Sequence, residues 1–353
     1  MMTMTEAWKE SLLQSLAIGH EVRQRQMDSS VEFEEFPQPA PSQLALLQIY
    51  TDVLDGNDIP GTTAKRIHNW VLSVPESDNS YNTYSAYYEV LRVLFSGART
   101  LSSRKQLQIL ADLTVELTKL PNVYNNTDDP IEITQNNTPK SIEWGEGLLV
   151  VVQPGKRIKL PCTTGGELWS GLPDFVAWIE DDLNGGPLQF RPQDTEVVGL
   201  DGQQQISRIA EDRYTNINTF AALIARQHPP QGSPLCSCVD FAFATFAFLE
   251  HGPNTNYDKE THLTVRAAAT WLIIAGEELV ASGSPSTRYD YTSRTGSLWK
   301  AEGGTNAVND KRLRFWKDRF QQIRESGRLV SQEAVDATIE AAAVLDRLIA
   351  AQG

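Results

Sequence analysis

The sequence predicts an all-α protein: an irregular bundle of about ten helices with one small β-hairpin inserted. Apolar residues recur at helical spacing over most of the 353 residues. Prolines stand at the edges of these stretches, where a helix tolerates or ends on them. The segment 122–165 loses the helical period and reads as loop and strand.

Taken in order, Thr5 to Gln26 carries Trp8, Leu12, Leu16 and Ile18 among charged positions. Pro41 and Pro60 suit first helical turns, ahead of Leu44–Leu54 and of Ile67, Trp70 and Val71. Thr83 and Thr100 are expected caps for two further helices, the second carrying a leucine stripe that stops at Pro121. Asn122 to Ser141 is expected to be an exposed loop. Leu148–Gln153 and Arg157–Leu160 flank the turn dipeptide Pro154-Gly155, which predicts that these two runs pair as a hairpin.

A short helix is expected around Trp169, Pro173, Phe175 and Trp178, stopped by Gly185-Gly186-Pro187. A long segment opens at Asp201 or Gly202. Phe241–Leu249 is apolar nearly all round, so it predicts a central buried helix, joined by a second core helix from Thr261 to Val280. Ser282 to Thr305 reads as a loop carrying Trp299. Two closing helices follow, the last from Ser331 to Ala351 with Ser331 as cap. The expected regions are 1–121, an N-terminal helical part; 122–165, the loop and hairpin; and 166–353, a C-terminal helical part, all in one compact unit.

Acidic residues number 45 against 31 basic ones, a net charge of −14. That balance argues against nucleic acid or anionic membrane as partner, since both reward basic patches. Three cysteines suit no disulfide scaffold, and the longest apolar runs fall short of a bilayer span. No signal peptide is expected, which points to the cytoplasm.

Gly145-Glu-Gly147 lacks the third glycine of a dinucleotide fingerprint, and Gly155-Lys156 is followed by arginine, so neither phosphate loop is present. No Gly-x-Ser-x-Gly elbow occurs. Cys236-Ser-Cys238 has no second ligand pair for zinc, and no metal or cofactor is expected. Glu250, His251, Asp258, Glu260 and His262 crowd one inter-helix segment, which its Gly, Pro and Asn content marks as a solvated loop. Asp181, Asp182 and Asn184 end an aromatic helix, without the third carboxylate that a terpene-cyclase magnesium motif requires.

The densest polar run beside an apolar helix is Glu211, Asp212, Arg213, Tyr214, Asn216 and Asn218. With Asp181, Asp182, Asn184 and Arg226, these are the candidate ligand-binding residues, a few polar groups against an apolar wall. If residues 211–218 cap a helix from Ile217 to Arg226, Asn218 and Arg226 share one face, and Arg226 is expected to be partly buried and hydrogen-bonded. The expected role is small-molecule binding or cofactor-independent catalysis, with a non-catalytic interaction or scaffold protein as the alternative.

Four aromatic blocks between residues 165 and 325 resemble a fungal family of helical proteins catalogued as domain of unknown function 3632. Leu168-Trp169-Ser-Gly-Leu172-Pro173-Asp-Phe175, with Trp178, Asp182 and Asn184, is similar to its Trp-x-x-Leu-Pro-x-Phe block. Tyr214 to Arg226, with Phe220, resembles a Trp-x-Asn-Leu-Asn-Ala-Phe run, tyrosine replacing the usual tryptophan. Phe248-Leu249-Glu250 with Trp271 is similar to the third block. Gly296 to Lys300 with Trp299, followed by Arg314 to Phe320 with Trp316, is similar to the fourth. The resemblance implies an all-α cytoplasmic fungal protein, with the 122–161 segment an insertion. Some members occur among secondary-metabolism genes, and no reaction or catalytic residue is transferred. Trp271→Ala is expected to cost ~3–5 kcal/mol if Trp271 is core, measured by denaturant unfolding. A loss below ~1 kcal/mol would place it at the surface.

Overall fold

The computed structural model describes residues 4–27, 30, 37–78, 81–134, 149–162, 166–191, 200–252, 258–285, 295–329 and 331–352. It divides into two compact units, residues 1–177 and 178–353. Helix dominates both, as the periodicity predicts, with two-stranded antiparallel sheets in the first.

Unit 1 begins with α1 (Met4–Met27), α2 (Pro41–Leu54), α3 (Pro60–Ser77), α4 (Thr83–Thr100) and α5 (Arg104–Thr118). Pro41 and Pro60 stand in first turns, as expected. The caps differ from expectation. Asn82, not Thr83, caps α4 by accepting the Ser85 N–H at 2.8 Å. Thr100 belongs to the last turn of α4 and donates to Ser96 O at 2.7 Å. Such back-bonding is the usual outlet for threonine inside a helix. The indoles of Trp8 and Trp70 join helices, donating to Ser96 Oγ at 3.2 Å and Ser42 O at 2.9 Å.

The strand segment keeps the turn and changes the partners. Gly155 takes φ +71° between Pro154 and Lys156, and Lys156 N–H closes onto Gln153 O at 3.1 Å, a geometry glycine adopts without strain. β2 (Leu149–Val152) nevertheless pairs with β1 (Ile131–Thr134), and β3 (Lys159–Leu160) pairs with β4 (Gly166–Glu167). Residues 123–125 fill the place expected of a hairpin strand: Ile158 N–H donates to Val123 O, and Asn125 N–H to Lys156 O, each at 2.8 Å. The stretch after Pro121 is therefore not simply an exposed loop. Asn125 is buried and organises it, donating to Val152 O at 2.9 Å and Asp129 O at 2.8 Å while accepting from the Thr127 N–H. Residues 135–148 lie outside the described residues.

The signature block before α6 (Phe175–Asn184) is not the first turn of a helix. Trp169, Leu172 and Asp174 take φ of 69°, 36° and 58°, and all three are buried. Side chains carrying a Cβ rarely adopt this region, so packing must hold the segment there. Tyr87 OH donates to Pro173 O at 2.9 Å, and Tyr88 OH donates to the Asp174 carboxylate.

In unit 2, α7 (Leu200–Ala225) and α9 (Asp258–Ser282) form the largest helix pair, with α8 (Phe241–Leu249) against α9 and buried along its whole length. A short α10 (Ser297–Ala301) carries Trp299 inside the expected loop. α11 (Asp310–Glu325) and α12 (Gln332–Ala350) close the unit, with Ser331 capping α12 through the Ala334 N–H. Trp271 is fully buried. Among the described residues, no helix is long and apolar enough to cross a membrane. Asn125→Ala should cost about 2 kcal/mol in urea unfolding, because it strands the buried Val152 carbonyl. An unchanged midpoint would show that Asn125 does not hold the segment.

Candidate functional site

The polar run from Glu211 to Asn218 lies in the middle of α7, not before it. A helix this long starts at Leu200, so these residues meet other helices and do not cap one. Asn218 is fully buried and acts as a three-helix junction. Its Nδ2 donates to Tyr214 O at 2.7 Å, within α7. Its Oδ1 accepts from Thr245 Oγ1 of α8 at 2.6 Å and from Trp271 Nε1 of α9 at 2.7 Å. The amide thus supplies both donor and acceptor where no water reaches, and Trp271 gains its indole partner.

Two turns earlier, Glu211 is also fully buried. Its Oε2 accepts from Ser331 Oγ at 3.1 Å and lies 3.4 Å from Arg266 Nη1, which reaches Asp212 Oδ1 at 2.5 Å. Burial pushes the Glu211 carboxyl above its ordinary range, against the pull of Arg266. Tyr214 is fully buried, with its hydroxyl 3.5 Å from Leu183 O, and Arg213 Nη1 lies 3.5 Å from Phe190 O. Asn216 is buried on the same helix. Two of the side chains in the polar run thus meet the 181–190 region through backbone carbonyls. Asp182 is buried and takes the Gln189 side chain on its carbonyl, Asn184 donates to Glu180 at 3.3 Å, and Asp181 is exposed.

A second polar centre was read from sequence as a solvated loop. Glu250, immediately after α8, is instead fully buried, and Glu260 and His262 are buried as well. Glu250 Oε1 accepts from Arg312 Nε and Trp316 Nε1, each at 2.8 Å, and Oε2 accepts the Gly296 N–H at 2.9 Å. A Cβ on Gly296 would fall 2.4 Å from Glu250 C and Cβ, so only glycine permits that approach. Arg312 is fully buried too, its Nη1 donating to Asn306 O at 2.7 Å, and its guanidinium lies 5.1 Å from the Trp316 ring centre and 5.9 Å from that of Trp299. One turn further along α11, Arg319 donates to Leu249 O at 3.2 Å and His251 O at 3.0 Å. The Arg312, Trp316 and Arg319 face of α11 therefore satisfies both the carboxylate and the last carbonyls after α8. Sequence reading singled out Trp316 but not Arg312, although their four-residue spacing on a helix was visible.

Arg226 departs from expectation. It lies one residue beyond α7 and is exposed. Among the described residues its side chain has no ion pair or hydrogen bond. It stands instead on the rim of a cleft of about 520 Å³ between α9 and the end of α12. Leu272, Ile273 and Ile274 line one wall, Val344 and Leu348 the other, and Glu277, Glu278 and Arg347 share the rim. At the centre of the α9 wall the helix is broken: Ala275 takes φ −134° and ψ 32°. A Cβ on the adjoining Gly276 would sit 3.1 Å from Leu348 Cδ1, close enough that the leucine would have to shift.

Fold and buried networks define an all-helical protein with small antiparallel sheets, whose signature aromatics are core. Trp169, Phe220, Trp271, Trp299 and Trp316 are all nearly or fully buried, Pro173 is buried, and Trp178 is half-buried. The chain belongs to the family whose model, described as a protein of unknown function (DUF3632), matches residues 92–320. Comparisons with curated proteins and with solved structures found no match.

Removing one partner of the Glu250–Arg312 pair leaves an uncompensated buried charge. Glu250→Leu and Arg312→Met should each cost ~3–5 kcal/mol, and the double variant less than the sum. Additive losses in a denaturant double-mutant cycle would show that the two groups are not coupled.

Proposed function

We propose that unit 2 is a small-molecule-binding module whose ligand occupies the cleft between the broken stretch of α9 and the end of α12. The observation that carries this reading is a cleft of about 520 Å³, in the range of small-ligand pockets, walled by apolar side chains of α9 and α12 with charged groups on its rim. The described residues lining the cleft include no serine, threonine, cysteine, lysine or histidine, which leaves Glu277 and Glu278 on its rim as the side chains able to carry a proton. The family's resemblance to fungal proteins, some encoded among secondary-metabolism genes, supports a cytoplasmic metabolite as the ligand. The alternative, a non-catalytic interaction protein, is supported by the use of Asn218, Trp271, Glu250 and Trp316 in core packing.

The test is titration with a neutral apolar dye such as Nile red. One-to-one saturation is expected, weakened at least about tenfold by Ile273→Arg, which puts a charge against the apolar wall. Ile273 is half-exposed, so the melting temperature should change little. Absence of saturable binding, or binding indifferent to Ile273→Arg, would refute the reading.

A further inference from the structure

The cleft's rim carries a charge arrangement that its apolar walls do not require. Six arginines described in unit 2 have an acidic or carbonyl partner: Arg208 with Glu333, Arg213 with the Phe190 carbonyl, Arg266 with Glu211 and Asp212, Arg312 with Glu250, Arg314 with Asp310, and Arg319 with two carbonyls. Arg226 and Arg347, like Arg324 elsewhere in the unit, lack such a partner among the described residues. Both are exposed, both line the cleft, and among the described residues neither makes an ion pair or a side-chain hydrogen bond.

Their backbones are fixed, so the two guanidiniums are held at the cleft by regular structure. The Arg226 N–H donates to Ala222 O at 3.0 Å, and Arg347 lies in the last turn of α12. A cation at a helix end interacts favourably with the helix dipole, which explains the residue type at each position. It does not explain why two helix ends deliver their arginines to one apolar cleft.

The cleft's own carboxylates leave the guanidiniums available. Glu278 Oε1 lies 3.4 Å from His228 Nε2, and its side chain is only 14% exposed, whereas Glu277 is exposed on the rim. The α9 lining from Leu272 to Ala281, apolar except for Glu277 and Glu278, extends for about 14 Å at 1.5 Å per residue. That length suits an unbranched alkyl chain rather than a compact ring.

We propose that the ligand of this cleft is an amphipathic oxyanion, with a carboxylate or phosphate monoester at one end and an unbranched apolar chain along the walls. The proposal rests on the reading of the cleft as a ligand site and adds the chemical class of its occupant. The chain lies against Leu272, Ile273, Val344 and Leu348, and the head accepts hydrogen bonds from the forks of Arg226 and Arg347. Guanidinium matches both head groups, because its planar donors pair with two oxygens at once.

Four probes with one tail decide it, titrated calorimetrically below their micelle concentrations: decanoate, decyl phosphate, decanol and decylamine. At least one oxyanion is expected to bind about tenfold or more tightly than decanol, with decylamine no tighter than decanol. Which oxyanion binds better identifies the head group. Arg226→Gln and Arg347→Gln should each remove most of that advantage while leaving decanol affinity and the melting temperature unchanged, since both positions are exposed. Added salt should weaken the oxyanion selectively. Equal binding of decanol and the oxyanions, or a preference for decylamine, would overturn the proposal while the cleft remained a ligand site. Failure of all four probes with Nile red still saturating would overturn the proposal alone. Failure of Nile red as well would remove the site.

Discussion

The second unit is organised around one buried charge. The Glu250 carboxylate leaves water at the end of the most apolar helix in the chain, where an unpaired anion would cost several kcal/mol. Three donors offset that cost, and they come from separate places: Arg312 and Trp316 on α11, and the backbone of Gly296 before α10. The same α11 face also takes the final carbonyls of the α8 segment through Arg319. The end of α8, the start of α10 and one face of α11 are therefore specified together. The signature residues Gly296, Trp299 and Trp316 follow from this geometry. Gly296 must lack a Cβ, while the two rings wall the Arg312 guanidinium away from solvent.

Helices were legible from sequence because their determinants are local. Spacing placed α2, α3, α8 and α12 closely, and proline and serine marked their ends. The candidate site was much less legible. Asn218 and Glu211 look like capping residues when only their neighbours are considered, and the chain gives no local sign that Thr245, Trp271 and Ser331 stand opposite them. Glu250 sits beside His251, Gly252 and Pro253, a composition that signals a turn, yet its partners lie 62 and 66 residues further on. Burial set by such distant contacts overrides loop composition. Arg226 failed in the opposite sense. Its N–H still bonds Ala222 O, so the helical face was legible, but helical spacing alone does not say which neighbour covers that face, and at Arg226 it is open to solvent.

The strands show the same division between local and distant information. Pro154-Gly155 forms the turn its chemistry requires, since that depends on four consecutive residues. Strand pairing depends on which segment arrives alongside. Residues 123–125, read as part of a polar loop, take the edge because Asn125 can satisfy carbonyls on two sides from a buried position.

The left-handed residues at 169, 172 and 174 bear on the order in which unit 1 assembles. A segment whose own side chains oppose its backbone conformation cannot nucleate structure; it adopts that conformation only once Tyr87 and Tyr88 of α4 are in place to bond Pro173 and Asp174. Interactions formed after the rate-limiting step are felt in the rate of unfolding and not in the rate of folding. If the Trp169–Asp174 turn closes after that step, loosening it shortens the lifetime of the native unit and leaves the rate of folding unchanged.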